Sequence, residues 1–234
     1  MNDTLGESWS APLTTLDGFC DLDGRLEQPF RSLPRPDGQL HAVVGGAKMG
    51  KTSLLNALLQ WLPVDRARSG RPLAPVLVEY DPEAGDLLDA QSFLLCLVRN
   101  LREGLRRLGL CTISESSFAS YFAQQSAADA FREALHWLLR QVDQVSPGSG
   151  ESLGEVRLIG LVDDAEQIAG LPWAPELFGG LRDLYSREKV VSSQLDLVLS
   201  GESQLARFFD HRQVWDCLLY TSPSPRDRTR SRMP

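Results

Sequence analysis

The chain has 234 residues, 42% hydrophobic and 24% charged, a balance that suits one or two soluble globular domains with a sizeable core. Its net charge of −7 argues against general nucleic-acid binding, which carries a basic balance. The longest strongly apolar run, residues 93–98, is far too short to span a bilayer.

Residues 1–16 are polar and irregular and are expected to form a disordered lead-in. MNDTLGESWS holds no basic segment followed by an apolar one, so no signal peptide is visible and a cytoplasmic location is expected. Phe19 to Leu33 mixes helical apolar spacing with charges, and residues 34–38 turn into the first core strand. Leu40 to Val44 (LHAVV) reads as a short buried strand, and Thr52 to Leu62 as a helix with Leu54, Leu55, Leu58, Trp61 and Leu62 at helical spacing and Pro63 as its stop. Residues 65–75 form a polar connection to a strand over Val76–Tyr80, ended by Asp81-Pro82. A long amphipathic helix follows over Asp89–Leu108. A second covers Ser114–Val145, or two helices meet near Ser126, with Phe131, Leu135, Leu138, Leu139 and Val142 as the clearest stripe. After a loop of composition SPGSGES, Val156–Val162 is a near-continuous apolar strand ending in Asp163-Asp164. Pro175–Glu188 is helical, Leu195–Leu199 is the next strand, and a helix runs from about Ser203 to Phe209. Strands alternating with helices predict an α/β fold: a three-layer α/β/α sandwich on a mainly parallel sheet. Cysteines 20, 96, 111 and 217 lack metal-ligand spacing and read as reduced, packed thiols. The three histidines are scattered and read as structural or surface residues.

Between the first strand and its helix lies Gly45-Gly46-Ala47-Lys48-Met49-Gly50-Lys51-Thr52, which fits G-x-x-x-x-G-K-[ST] at every fixed position. Strand, glycine turn and helix are what a phosphate-binding loop needs. The glycines let the backbone bend so that successive N–H groups point at phosphate oxygens, and the helix N-terminus adds its partial positive charge there. Residues Gly45 to Ser53 are therefore the candidate nucleotide contacts, with Lys51 on the β- and γ-phosphates and Thr52 ligating Mg2+. Asp163, after a hydrophobic strand, sits where the metal-holding carboxylate belongs, at the end of a strand beside the loop. Asp164 sits where many ATPases carry a glutamate that orients the attacking water. Its bland alternative is an N-cap for a helix near Ala165, and Glu166 is a weaker candidate for the same work. Ser200 ends the next strand, where a sensor of the γ-phosphate would lie, although serine is also a common turn residue. Guanine specificity lacks its usual N-K-x-D marker.

Residues 217–234 (CLLYTSPSPRDRTRSRMP) differ in kind and resemble a translated sequencing-library adapter. On that reading the native sequence stops near Asp216, mid-domain, and the tail is disordered apart from an opportunistic packing of Leu218–Tyr220. Its four arginines and one aspartate give +3, so the remainder carries −7 − 3 = −10, which weakens a nucleic-acid reading further.

Together the Gly24-Arg25 pair, GGAKMGKTS, LIGLVDDAEQ and LVLSGESQLARFF resemble the AAA+/STAND group of P-loop ATPases, in its origin-recognition-like branch, over about residues 17–216. The resemblance implies ATP and Mg2+ as ligands, hydrolysis that drives a change of shape or assembly, and self-association or protein partners through the ATPase domain. It also implies adenine contacts from the segment before the first strand, where Phe19 and Arg25 are candidates. Its further strand, helical lid, second sensor and arginine finger have no counterpart before Asp216. Two other functions are open on the residues alone: a nucleotide-dependent switch with negligible turnover, and a small-molecule kinase.

Overall fold

The computed structural model describes residues 40–64, 73–107, 126–144, 156–212 and 219–221. Its frame is one parallel sheet of five strands in the order β2-β3-β4-β1-β5. These are β1 (Leu40–Val44), β2 (Leu73–Val78), β3 (Arg157–Val162), β4 (Leu195–Gly201) and β5 (Leu219–Thr221). The helices are α1 (Lys51–Val64), α2 (Ala90–Arg107), α3 (Ala127–Gln144), α4 (Glu166–Ala169), α5 (Ala174–Arg187), α6 (Lys189–Gln194) and α7 (Ser203–Arg212).

Side chains of the central strands alternate between two cores, because successive residues of a strand face opposite ways. Val43, Ile159, Leu161 and Val198 point to one face and pack against Leu54, Leu55 and Leu58 of α1. Ala42, Val44, Leu158, Leu197 and Leu199 point to the other, a larger core shared with α2, α3, α5 and α7. Both faces are covered, so β3 and β4 are buried along their whole length; their residues are mostly apolar, with Arg157, Asp196 and Ser200 as the polar exceptions. The three-layer α/β/α architecture is thus the one the sequence predicts. The α2 stripe of Leu94, Leu97, Val98, Leu101 and Leu105 is buried as expected. Gly104 lets that helix lie directly on the sheet: a Cβ there would stand 2.2 Å from Val76 Cγ2. Ser126 and Asp129 exchange hydrogen bonds at the start of α3, a capping arrangement that fixes where the helix begins.

Several boundaries move. α1 continues through Pro63 to Val64, so the proline lies in the last turn and does not stop the helix at Leu62. β2 begins at Leu73 and includes Pro75, which the sequence reading assigns to the preceding connection. It is an edge strand among the described ones, and an edge tolerates the missing N–H of proline. The short helix α4 lies where the alternative role of Asp164 places a helix, near Ala165, and α6 is additional to the expected elements. Leu219–Thr221 pairs in parallel with Ala42–Val44 of β1, within the segment for which the sequence reading expects no order beyond an opportunistic packing of Leu218–Tyr220. Phe19, Gly24 and Arg25 lie outside the described residues, as does the rest of the tail.

At the end of the sheet away from the glycine loop, Arg157 and Asp196 form a buried two-bond ion pair, 2% and 0% exposed. No described helix is long and apolar enough to cross a membrane.

Candidate nucleotide site

The glycine loop leaves β1 at Val44 and is anchored at once to β4, where the Gly45 N–H donates to the Gly201 carbonyl at 3.1 Å. Lys48 (φ 60°) and Gly50 (φ 80°) are both left-handed, a conformation glycine adopts freely and lysine adopts at a cost of about 1–3 kcal/mol. Those two residues turn the chain back so that α1 begins at Lys51, with the Leu54 N–H already bonded to the Gly50 carbonyl at 2.9 Å. Gly46, Ala47, Lys48 and Gly50 are exposed, while Met49 folds its sulfur onto the Gly46 N–H at 3.1 Å. The Lys51 ammonium lies over the loop and donates to the carbonyls of Gly45 and Gly46, each at 3.1 Å. A loop of exposed backbone, a helix N-terminus and a cation therefore meet at one point, which is an anion site in its chemistry.

Thr52, one residue further into α1, donates its hydroxyl to Asp163 Oδ2 at 2.5 Å. The partners are 111 residues apart in the chain. What joins them is the alternation of the sheet: Asp163 follows Leu161 by two residues and so lies on the α1 side. The other oxygen of that carboxylate accepts from the Asp164 N–H at 3.1 Å. β3 is not a direct neighbour of β1, because β4 runs between them. The sequence reading places Asp163 on a strand beside the loop; α1 reaching across β4 is what brings Thr52 to it.

Asp164 is exposed and left-handed, at φ 49°. Among the described residues its carboxylate has no hydrogen-bond partner. The N-cap position of α4 is Ala165 and has no side-chain cap, so Asp164 does not serve that helix in the way its bland alternative supposes. Partial burial raises the Asp164 carboxyl above the usual aspartate range; the charges of Asp163 and then Glu202 add to this, and Lys51 opposes it. Glu166 turns elsewhere: its Oε2 accepts from the Glu202 N–H at 3.3 Å, at the start of α7. Ser200 lies opposite Val43 in the ladder, on the α1 side, between the glycine loop and Asp163. It is fully buried, and its hydroxyl has no partner among the described residues. Ser53 is half-buried in the first turn of α1.

One residue of this region is not among the sequence candidates. Tyr80, two residues beyond β2, directs its hydroxyl to the main-chain carbonyls of Asp163 (2.9 Å) and Asp164 (3.1 Å). In the sequence it is only the aromatic end of a strand, since nothing in VLVEY says which strand lies alongside.

No protein-family model and no curated protein sequence matches the chain. Solved structures do. A Walker-type ATPase of Pyrococcus abyssi superposes with a TM-score of 0.54 at 16% identity, over 92% of this chain and 57% of that one. The ORC2 protein of Aeropyrum pernix, solved in ADPNP–ADP complexes, gives 0.52 at 16% identity, over 86% of this chain and 47% of that one. The chain thus spans about half the length of these proteins, and the likeness is one of architecture: this is the P-loop NTPase fold.

Proposed function

We propose that the chain is an ATPase domain that binds Mg-ATP and hydrolyses it to drive a change of shape or assembly. The observation that carries this reading is the Thr52–Asp163 contact, formed across 111 residues of sequence directly below a complete phosphate loop. A hydroxyl and a carboxylate converging at one point are hard oxygen donors, the set that suits a magnesium ion. Thr52 and Asp163 would hold that ion, which when bound neutralises phosphate charge. The backbone of Gly45–Ser53 and the Lys51 ammonium bind and orient the phosphates, and Lys51 exchanges its two carbonyl partners for phosphate oxygens. Asp164 faces solvent with a free carboxylate and is assigned to orient the attacking water. Ser200 is assigned as the sensor beneath the γ-phosphate, its unpartnered hydroxyl being the feature that supports this role. We place the domain with the AAA+/STAND ATPases on the same motifs.

A switch with negligible turnover is the second reading, favoured by one feature: aspartate at 164 is a methylene shorter than the usual glutamate. The experiment is phosphate release by the purified chain, with and without Mg2+ and with candidate acceptor molecules. Mg-dependent release of phosphate to water supports the hydrolase. Tight binding without release selects the switch, and acceptor-dependent transfer selects a kinase. Absence of any Mg-ATP binding overturns the proposal.

A further inference from the structure

We propose that Tyr80 is a positioning residue for ATP hydrolysis, its phenol O–H holding the main chain of Asp163 and Asp164 so that the Asp164 carboxylate stays aimed at the water. The proposal rests on the ATPase reading above. Three observations carry it. The single hydroxyl proton is shared between two successive carbonyls, at 2.9 and 3.1 Å, so the hydroxyl touches the two residues whose side chains are assigned to metal and to water. Asp164 has a left-handed φ of 49°, a conformation that needs outside support in a residue with a side chain. Its carboxylate has no partner among the described residues, so the main chain, which sets where the Cβ stands, is what the structure fixes of its position.

The ring that carries this hydroxyl is itself held. Phe93 of α2 meets Tyr80 edge to face, with centroids 6.3 Å apart and planes at 77°. Trp173, at the start of α5, lies behind Phe93 at 6.4 Å. The phenol therefore reaches the end of β3 from a fixed platform on the side of the sheet opposite α1. The Asp163 side chain approaches Thr52 from the α1 side. Clamping from both sides leaves the Asp163–Asp164 peptide little freedom. Without the phenol, the carbonyl of Asp164 keeps its bond from the Gln167 N–H at 2.9 Å, so α4 persists while the peptide before it loosens.

Tyr80→Phe keeps the ring and removes only the O–H. Mg-ATP dissociation constant, kcat, melting temperature and the number of nucleotide-binding sites are measured for wild type, Tyr80→Phe, Asp164→Asn and the double variant. Expressing kcat per titrated site keeps the comparison valid even where a variant is partly unfolded. The expected result is a dissociation constant within about twofold of wild type and a kcat lower by about tenfold, since small misplacements of a catalytic group cost this much or more. In the Asp164→Asn background the same change should alter kcat less than about twofold, because a residue acting through Asp164 has nothing left to position. An unchanged kcat in Tyr80→Phe, or an equal loss in both backgrounds, overturns the proposal while the ATPase reading stands. Absence of turnover in the wild type overturns both.

Discussion

Removing the carboxylate of Asp196 should damage the fold without touching the candidate site. Asp196 is 0% exposed and holds the Arg157 guanidinium through two bonds of 2.5 and 2.8 Å, with Arg157 itself 2% exposed. The buried Tyr185 phenol stands beside them; its pKa is raised well above the ordinary value by burial first and by the Asp196 charge second. Asp196→Ala takes from the buried Arg157 guanidinium the carboxylate that neutralises it, and breaking such a pair costs about 3–5 kcal/mol. For a domain of this size about 2–4 °C is lost per kcal/mol, so the melting temperature should fall by about 6–20 °C. Arg157→Met with Asp196→Leu removes both charges together and should lie within about 1 kcal/mol of wild type or above it, because neither desolvation cost remains. Urea denaturation followed by tryptophan fluorescence gives the free energies, with an unchanged slope required for the comparison. Ser200 lies four residues along β4 from Asp196, about 13 Å at 3.3 Å per residue. Mg-ATP affinity per folded molecule should therefore be unaltered in both variants. A loss below about 1 kcal/mol in Asp196→Ala, or a double variant as damaged as the single one, refutes the reasoning.

Lys51→Ala takes the cation from the loop and should lower kcat/KM by about 100-fold or more, the cost of losing one fixed donor at developing charge; unchanged Mg-ATP titration and turnover sink the assignment. Asp163→Asn should impair magnesium-dependent binding, whereas Asp164→Asn should spare binding and reduce hydrolysis by about 10²-fold or more; a change below about threefold removes Asp164 from the mechanism. The raised pKa of Asp164 also fixes the sign of a stability effect: the folded carboxyl binds its proton more tightly than the unfolded one, so stability is lost as pH rises from the ordinary aspartate value through the raised one. Asp164→Asn without nucleotide should therefore melt above wild type at neutral pH, with the difference vanishing below about pH 4. Burial pushes the Cys96 thiol up to about 12, so at pH 8 it should resist iodoacetamide in the folded protein and react in urea, as read by mass spectrometry of its peptide.

The glycine loop, its strand and its helix are legible in the sequence because each is local: the motif has fixed spacing, and the apolar period of the helix starts where the glycines end. The central strands are legible for a similar reason, since burial on both faces leaves an unbroken apolar run such as LIGLV. Sheet order is not local. No residue of β4 declares that this strand separates β1 from β3, and so the contact of Thr52 with Asp163 is expected from the motif while its route across β4 is not. Tyr80 escapes for the same reason: its partners are main-chain carbonyls 83 and 84 residues away, which carry no sequence signature. Pro75 misleads the boundary of β2 because its cost depends on whether the strand is central or at an edge, a property of the assembled sheet.

The place of the C-terminal segment in the fold can be settled by deleting residues 217–234. Its described part is three residues, Leu219–Thr221, in register with Ala42, Val43 and Val44 on the outer side of β1. A ladder this short returns little: each main-chain hydrogen bond contributes about 0.5–1.5 kcal/mol net, while fixing each residue costs about 1–2 kcal/mol. Those terms nearly offset, so the deletion should shift the melting temperature by no more than about 4 °C. Its larger effect should be kinetic. Among the described strands β1 would become the edge, next to the glycine loop, and an open edge recruits strands from other molecules. Light scattering on slow heating should therefore rise earlier for the deleted chain, while its unfolding free energy in dilute urea solution stays close to that of the full chain. A loss above about 3 kcal/mol on deletion would show that the segment belongs to the core of the domain, because main-chain pairing of three residues cannot supply that much.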